Sequence, residues 1–408
     1  MKVLSADVHR RSPGNGRGAW KSIVTYRDRS TSRLLETYCD TSGRDRYDDH
    51  VERFSDDGGK SWSQPRLVIP TKVISENVVV RGIETFLDSD AKTHRIFRGY
   101  NEATFYNDDL DESVEDSHSH STLCIQYSLD GGQTYQPRID LTAIAKSSEV
   151  FRSNDPGVGL HPVISCTHME TLKDGTLVIP IMRWAGSNNG DPKAVDDSQY
   201  PMISACMAIG NWNAGHSGLK WSFGRPISRL PDRQTPGFSE VSIAQWGNGD
   251  LLAVARMEPH DPEVYEGCKW WALSSDQGRT WSAAMPLRDT QGRWVHSPAT
   301  CSRVIRHSSG RLLLITNLYD HPCQGLGPRY ALHIAEIARD GHGNPAIVRN
   351  SITTIDQRRQ GELEDLALSN FTVYEDRLTG DLCIFCPRVY ARRFTLEDSH
   401  CMLYRVSV

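Results

Sequence analysis

Eight residues recur three times along this chain: Ser55-Asp56-Asp57-Gly58-Gly59-Lys60-Ser61-Trp62, Ser128-Leu129-Asp130-Gly131-Gly132-Gln133-Thr134-Tyr135 and Ser274-Ser275-Asp276-Gln277-Gly278-Arg279-Thr280-Trp281. Each reads S-x-D-x-G-x-[ST]-aromatic, and Gly218-Leu219-Lys220-Trp221-Ser222 keeps the aromatic in a degenerate fourth copy. Self-similarity at long spacing means that one supersecondary unit is repeated. The chemistry of the octamer is that of a tight hairpin: a carboxylate accepts backbone N–H bonds, glycine permits positive φ, and the ring packs beneath. Asp56, Asp130 and Asp276 are therefore expected to shape turns and to take no part in catalysis.

A second hairpin signal, a turn followed by an apolar strand, falls at 29–39, 88–99, 173–182, 247–255, 309–316 and 379–386. Long stretches with a 3.6-residue apolar period are missing, while Gly (32), Pro (20) and Trp (10) punctuate short runs, so the chain reads as all-β. An inner plus an outer hairpin makes a four-stranded antiparallel blade, and six such blades predict a six-bladed β-propeller as a single domain over 1–408. The blades fall near 19–70, 78–142, 161–228, 238–288, 296–350 and 364–408. The last unit ends after its third strand, so the strand-like stretch 2–8 is expected to complete it and remove the open edge.

Charge narrows the function classes. With 46 Lys+Arg against 51 Asp+Glu there is no global basic field to hold nucleic acid or an anionic membrane. No apolar run approaches the roughly 18 residues of a membrane span, and the first residues lack the apolar core of a secretion signal, which points to a cytoplasmic protein. The ten cysteines are too sparse for a disulfide scaffold. Cys39, Cys124, Cys166, Cys206, Cys301, Cys383 and Cys386 sit in apolar strand-like runs and read as buried thiols. Cys383 and Cys386 would face opposite sides of a strand, so no zinc site, and no other metal or cofactor, is expected. His118 and His120 lie beside an acidic loop and read as a solvated insertion or a metal-tolerant lid rather than a catalytic pair.

In a propeller the strand starts and the ends of the second strands meet at one mouth, where polar residues need a reason. Four of the six second strands are expected to end in arginine, Arg98, Arg183, Arg256 and Arg388, and Arg81 lies at an inner-strand start. Guanidinium forks suit bidentate carboxylate binding, so these arginines are candidates for an anionic substrate. His161 and His296 occupy equivalent strand-entry positions in blades three and five, and Tyr100 follows Arg98. His, Tyr and Arg together are the groups a β-eliminating uronate lyase uses: Arg neutralises the carboxylate, one group removes a proton, another protonates the leaving oxygen.

The octamers and hairpin count resemble the sialidase (neuraminidase) superfamily, whose Asp-box is the octamer quoted and whose fold is a six-bladed β-propeller. The closest local match runs from Ser239-Glu240-Val241-Ser242-Ile243 through Gly249-Asp250-Leu251-Leu252 to Arg256. There the resemblance implies a buried Glu, Glu240, that polarises a nucleophilic Tyr, and one arginine of a carboxylate-binding triad, Arg256. Gly327-Pro328-Arg329 is similar to the setting of another triad arginine. Two departures stand out: Ala19-Trp20-Lys21 replaces the family's Arg-Ile-Pro in blade one, and Leu368 stands where the nucleophilic Tyr is expected. The expectation is a sialidase-like enzyme cleaving an acidic oligosaccharide, with hydrolysis favoured over uronate elimination or non-catalytic sugar binding.

Overall fold

In a computed structural model, the described residues are all but 44–45, 91–94, 107–117, 153–160, 165–167, 186–201, 216–217, 228–237, 258–266 and 393–394. Strands form six antiparallel sheets of four or five strands, in chain order, and the fold class is a six-bladed β-propeller. Blade one uses Gly18–Tyr26, Leu34–Gly43, His50–Ser55 and Arg66–Ile69; blade two uses Val78–Ser89, Ile96–Tyr106, His118–Ser128 and Ile139–Asp140. Blade three is built on His161–Ile164, Leu177–Ala185, Met202–Trp212 and Leu219–Phe223, and blade four on Phe238–Gln245, Leu251–Met257, Trp270–Ser274 and Met285–Pro286. Blade five uses Arg303–Arg306, Leu312–Thr316, Ala331–Arg339 and Pro345–Ile347. In blade six, Thr372–Glu375, Leu382–Val389 and His400–Ser407 are completed by the N-terminal strand Lys2–Arg10 in the outermost place.

By packing, the chain divides into two compact units: Met1–Lys2 with Ile144–Ser369, and Val3–Ala143 with Asn370–Val408. Within the first, every residue of Phe238–Gln245 is buried, because both faces of this strand are covered. Successive side chains point to opposite faces, so Val241 and Ile243 join Val178, Met207 and Trp270 in one core while Ala244 joins Leu252, Val304 and Leu314 in the next. Each large apolar side chain buried in this way contributes roughly 1.5–3 kcal/mol.

The three octamers close turns by one scheme. Ser128 Oγ donates to Asp130 Oδ1 (2.7 Å) and accepts from the Gly132 N–H (2.8 Å), while the amide and hydroxyl of Thr134 donate to Asp130 (2.9 and 2.6 Å). Ser274, Asp276, Gly278 and Thr280 repeat it. In the first octamer the aspartate in this role is Asp57, which accepts from Ser55, Lys60 and Ser61, and this corrects the assignment to Asp56. Asp56 occupies the variable second place of the motif; it is exposed and pairs with Arg33 (2.7 Å). Gly132 has φ +83°, the left-handed turn conformation that the motif's glycine permits.

A feature that no sequence pattern announces recurs in three blades. The pairing of the first two strands breaks register between Ala19 and Ser22, between Ile83 and Phe86, and between Ser239 and Ser242. Such bulges re-aim side chains where pairing lapses. The residues they set off-register are Trp20-Lys21, Glu84-Thr85 and Glu240-Val241.

All nine described cysteines are buried and free of disulfides; Cys166 lies outside the described residues. No group of three or more metal-ligating side chains occurs among the described residues, and no helix there is long and apolar enough to cross a membrane.

Candidate active site

Glu240 sits in the bulge of blade four with φ +42°, a conformation uncommon for a residue with a side chain, which persists only where surrounding structure enforces it. Two contacts do so. Its N–H donates to Met182 Sδ (3.4 Å), and its Oε2 accepts from Arg256 Nη1 (2.8 Å). Arg256 is paired with Ser239 across the sheet, at the end of the second strand, so sheet register and bulge together bring the two charges into contact. Their side chains are only 16% and 11% exposed, which makes this a charge-assisted bond in a largely desolvated setting.

Lys269 immediately precedes the third strand of the same blade and is 1% exposed. Its Nζ donates to the carbonyls of Pro298 (3.2 Å) and Thr300 and to Thr300 Oγ1 (3.3 Å). Burial pushes its ammonium down to about 7; the charges of Cys301 and Glu240 oppose that shift, while Arg256 and Arg329 add to it. Arg329 is anchored by Nε to the Leu326 carbonyl (2.7 Å) and by Nη2 to the Ala299 carbonyl (3.2 Å). Glu240, Arg256 and Arg329 therefore share one electrostatic neighbourhood with a buried lysine. Sequence reasoning passed over Lys269, although a lysine inside Cys268-Lys269-Trp270-Trp271 is a charge set in an apolar strand, and that was a legible signal.

The remaining candidates fall elsewhere. His296 is not at a strand start: blade five's first strand is Arg303–Arg306, and His296 lies in the irregular segment before it, bridged to Tyr319 by paired backbone bonds (3.1 and 2.9 Å). His161 is the first residue of its strand and pairs Trp184, whereas His296 pairs Tyr319 through an isolated antiparallel bridge ahead of its strand. The side chains of His161 and Arg183 lie outside the described residues; their backbones pair Trp184 and Pro162 respectively. Leu368 is fully buried, its N–H donating to the Arg329 carbonyl (2.9 Å) and its carbonyl accepting from Asn317 (3.1 Å).

The second unit holds Arg81, Arg98, Tyr100 and Arg388. Arg98 is not at a strand end, because its strand continues to Tyr106; it sits near the opposite end, level with Leu87 and Gln126. Its guanidinium donates to Glu52 (3.0 Å) and Gln126 (2.8 Å) and lies 4.0 Å from the centre of the Tyr135 ring, which leaves it a structural role. Tyr100 packs on Ile69 and Cys124; burial raises its phenol pKa, opposed in part by a hydrogen bond with Arg138. Arg81 donates to the Tyr47 carbonyl (3.1 Å) and faces Asp48 (3.6 Å). Arg388 is buried near the end of its strand, opposite His400.

Neither a protein-family model nor a curated protein matches this sequence. Solved structures do. The fold is that of the sialidase propellers. A protein of unknown function from Dyadobacter fermentans superposes with a TM-score of 0.65 at 14% identity, over 100% of this chain and 99% of that one. The intramolecular trans-sialidase of Ruminococcus gnavus, solved with oseltamivir carboxylate, gives 0.60 at 14% identity over 95% and 94%. Trypanosoma rangeli sialidase, solved with the inhibitor DANA, gives 0.60 at 12% identity over 95% of this chain but 55% of its own. At such identities the likeness is one of fold.

Proposed function

We propose that this chain is a carbohydrate-active enzyme that cleaves an acidic, carboxylated glycoside by hydrolysis. The observation that carries the reading is the Glu240–Arg256 pair, two largely buried charges held at the end of blade four by a strained bulge. A structural ion pair does not need a residue in left-handed conformation, whereas strain of this kind clusters at functional sites. Arg256 and Arg329 supply guanidinium forks for a carboxylate. Glu240 supplies a carboxylate base beside them. Leu368 cannot form a covalent glycosyl intermediate, so the route proposed is direct attack of water at the anomeric carbon. Glu240 takes the water's proton as the glycosidic C–O bond breaks, and the leaving oxygen is protonated from solvent.

The test is a panel of sialate- and uronate-containing oligosaccharides with mass detection, run with the native enzyme and Glu240→Gln. Products that gain one water, and a loss of roughly 100-fold or more in turnover for a folded E240Q, are expected. Unsaturated products would replace hydrolysis by elimination. Binding without turnover would replace the enzyme by a sugar-binding propeller.

A further inference from the structure

Ahead of blade five's first strand, the carbonyls of three consecutive residues are all engaged. Lys269 Nζ takes those of Pro298 (3.2 Å) and Thr300, and Arg329 Nη2 takes that of Ala299 between them (3.2 Å). The third Lys269 bond, to Thr300 Oγ1 (3.3 Å), ends on the same stretch. A lysine has three donors and no acceptor, so all of its hydrogen-bonding capacity is directed at the segment that anchors Arg329. A buried charge is usually a poor source of stability compared with an apolar side chain of the same volume. Its placement here calls for another reason.

We propose that Lys269 is a positioning residue: by clamping Pro298 and Thr300 it fixes the Ala299 carbonyl, which in turn orients the Arg329 guanidinium for the substrate carboxylate. The inference rests on the carboxylate-binding role given to Arg329 above. The stretch has other ties, Ser297 N–H to Gly267 (2.8 Å), Ser297 Oγ to Asn317 (2.7 Å) and Ala299 N–H to Gly325 (2.8 Å), so losing the clamp loosens it without dismantling it. The ionisable groups that act on the ammonium or feel it are Glu240, Arg256, Arg329, Cys301 and Cys323. With the ammonium's pKa near 7, the clamp loses one of its three donors as pH rises through that value.

The experiment is a double-mutant cycle read by calorimetry, with N-acetylneuraminic acid and glucuronic acid as probes and their methyl esters as neutral controls. Lys269→Met is expected to weaken acid binding about tenfold in the native background and less than twofold in Arg329→Ala, with ester binding unchanged. Equal losses in both backgrounds, or an equal loss on the esters, would overturn the clamp. If the native protein binds neither acid, the functional reading fails, and hydrogen exchange over 326–331 decides the clamp alone: faster exchange in K269M sustains it and unchanged exchange overturns it. If K269M does not fold, Lys269→Gln, whose shorter side chain cannot span Pro298 and Thr300, carries the same measurement: faster exchange over 326–331 sustains the clamp and unchanged exchange refutes it.

Discussion

Removing the Glu52 carboxylate should be among the most damaging single changes in the second unit. Glu52 is completely buried and accepts from Arg98 (3.0 Å), Arg66 (3.1 Å) and the Tyr135 hydroxyl (3.0 Å). Tyr135 is the aromatic of the second octamer, so this carboxylate ties blade one to the turn that Asp130 closes. In Glu52→Ala the exposed half of the network recovers: Arg66 is 39% exposed, and water replaces its partner at little cost. Arg98 is 6% exposed and cannot be rehydrated without opening the core. Breaking a buried pair from one side costs about 3–5 kcal/mol, and Arg98 accounts for most of that here. Glu52→Gln keeps an acceptor in place and should cost about 1–3 kcal/mol. Thermal and urea unfolding followed by circular dichroism is the assay, with a drop in melting temperature of roughly 5–10 °C expected for E52A. A change below about 1 kcal/mol would show that Arg98 is not held as described. Loss of acid-sugar binding in Arg98→Ala without loss of stability would return Arg98 to the list of ligand contacts.

Asp57→Ala should lower the melting temperature and Asp56→Ala should leave it nearly unchanged, although the two residues are neighbours; the reverse order in a side-by-side melt would refute the turn assignment. For Asp130, burial raises the carboxyl, but its bonds from Thr134 and Ser128 outweigh this and hold it at about 2. The stability it gives is thus present above the ordinary carboxylate range and lost as pH falls toward 2, so D130A should show a flatter acid limb than the native protein. Lys269 has the opposite window. With its pKa depressed to about 7, its burial cost is full below that pH and fades as pH rises toward the ordinary lysine value. K269M should gain stability relative to the native protein at pH 6 and gain least at pH 9.5; a gain independent of pH would contradict the assignment.

The octamers and six hairpins made the blade count and the N-terminal strand of blade six readable, because turn chemistry is local and repeats. What the sequence hid was where strands end. Arg98 follows only Ile96-Phe97, where Arg256 follows the five apolar residues 251–255, and its strand runs on to Tyr106, which places it at the far end among Glu52, Gln126 and Tyr135. Inside the first octamer the spacing S-x-D-x-G already selects Asp57, so reading Asp56 there misplaced the register by one residue, and the bonds to Asp57 from Ser55, Lys60 and Ser61 set it right. His296 looked like a strand start although Pro298, two residues on, is a strand breaker that marks the irregular segment before Arg303. Glu240 and Arg256 were legible from motif spacing, but the bulge and positive φ that set Glu240 apart depend on sheet pairing and leave no local trace.

Arg256 is proposed to meet the substrate carboxylate, and paired calorimetric titrations test this directly: N-acetylneuraminic acid and glucuronic acid, each against its methyl ester, with the native protein and Arg256→Ala. The native protein is predicted to prefer at least one acid over its ester, and R256A to lose about 30-fold or more in affinity for that acid while ester binding holds, because truncating one partner of a desolvated charge pair costs about 2–5 kcal/mol. A native protein that does not distinguish acid from ester, or an R256A variant that remains folded and keeps the preference, would contradict it.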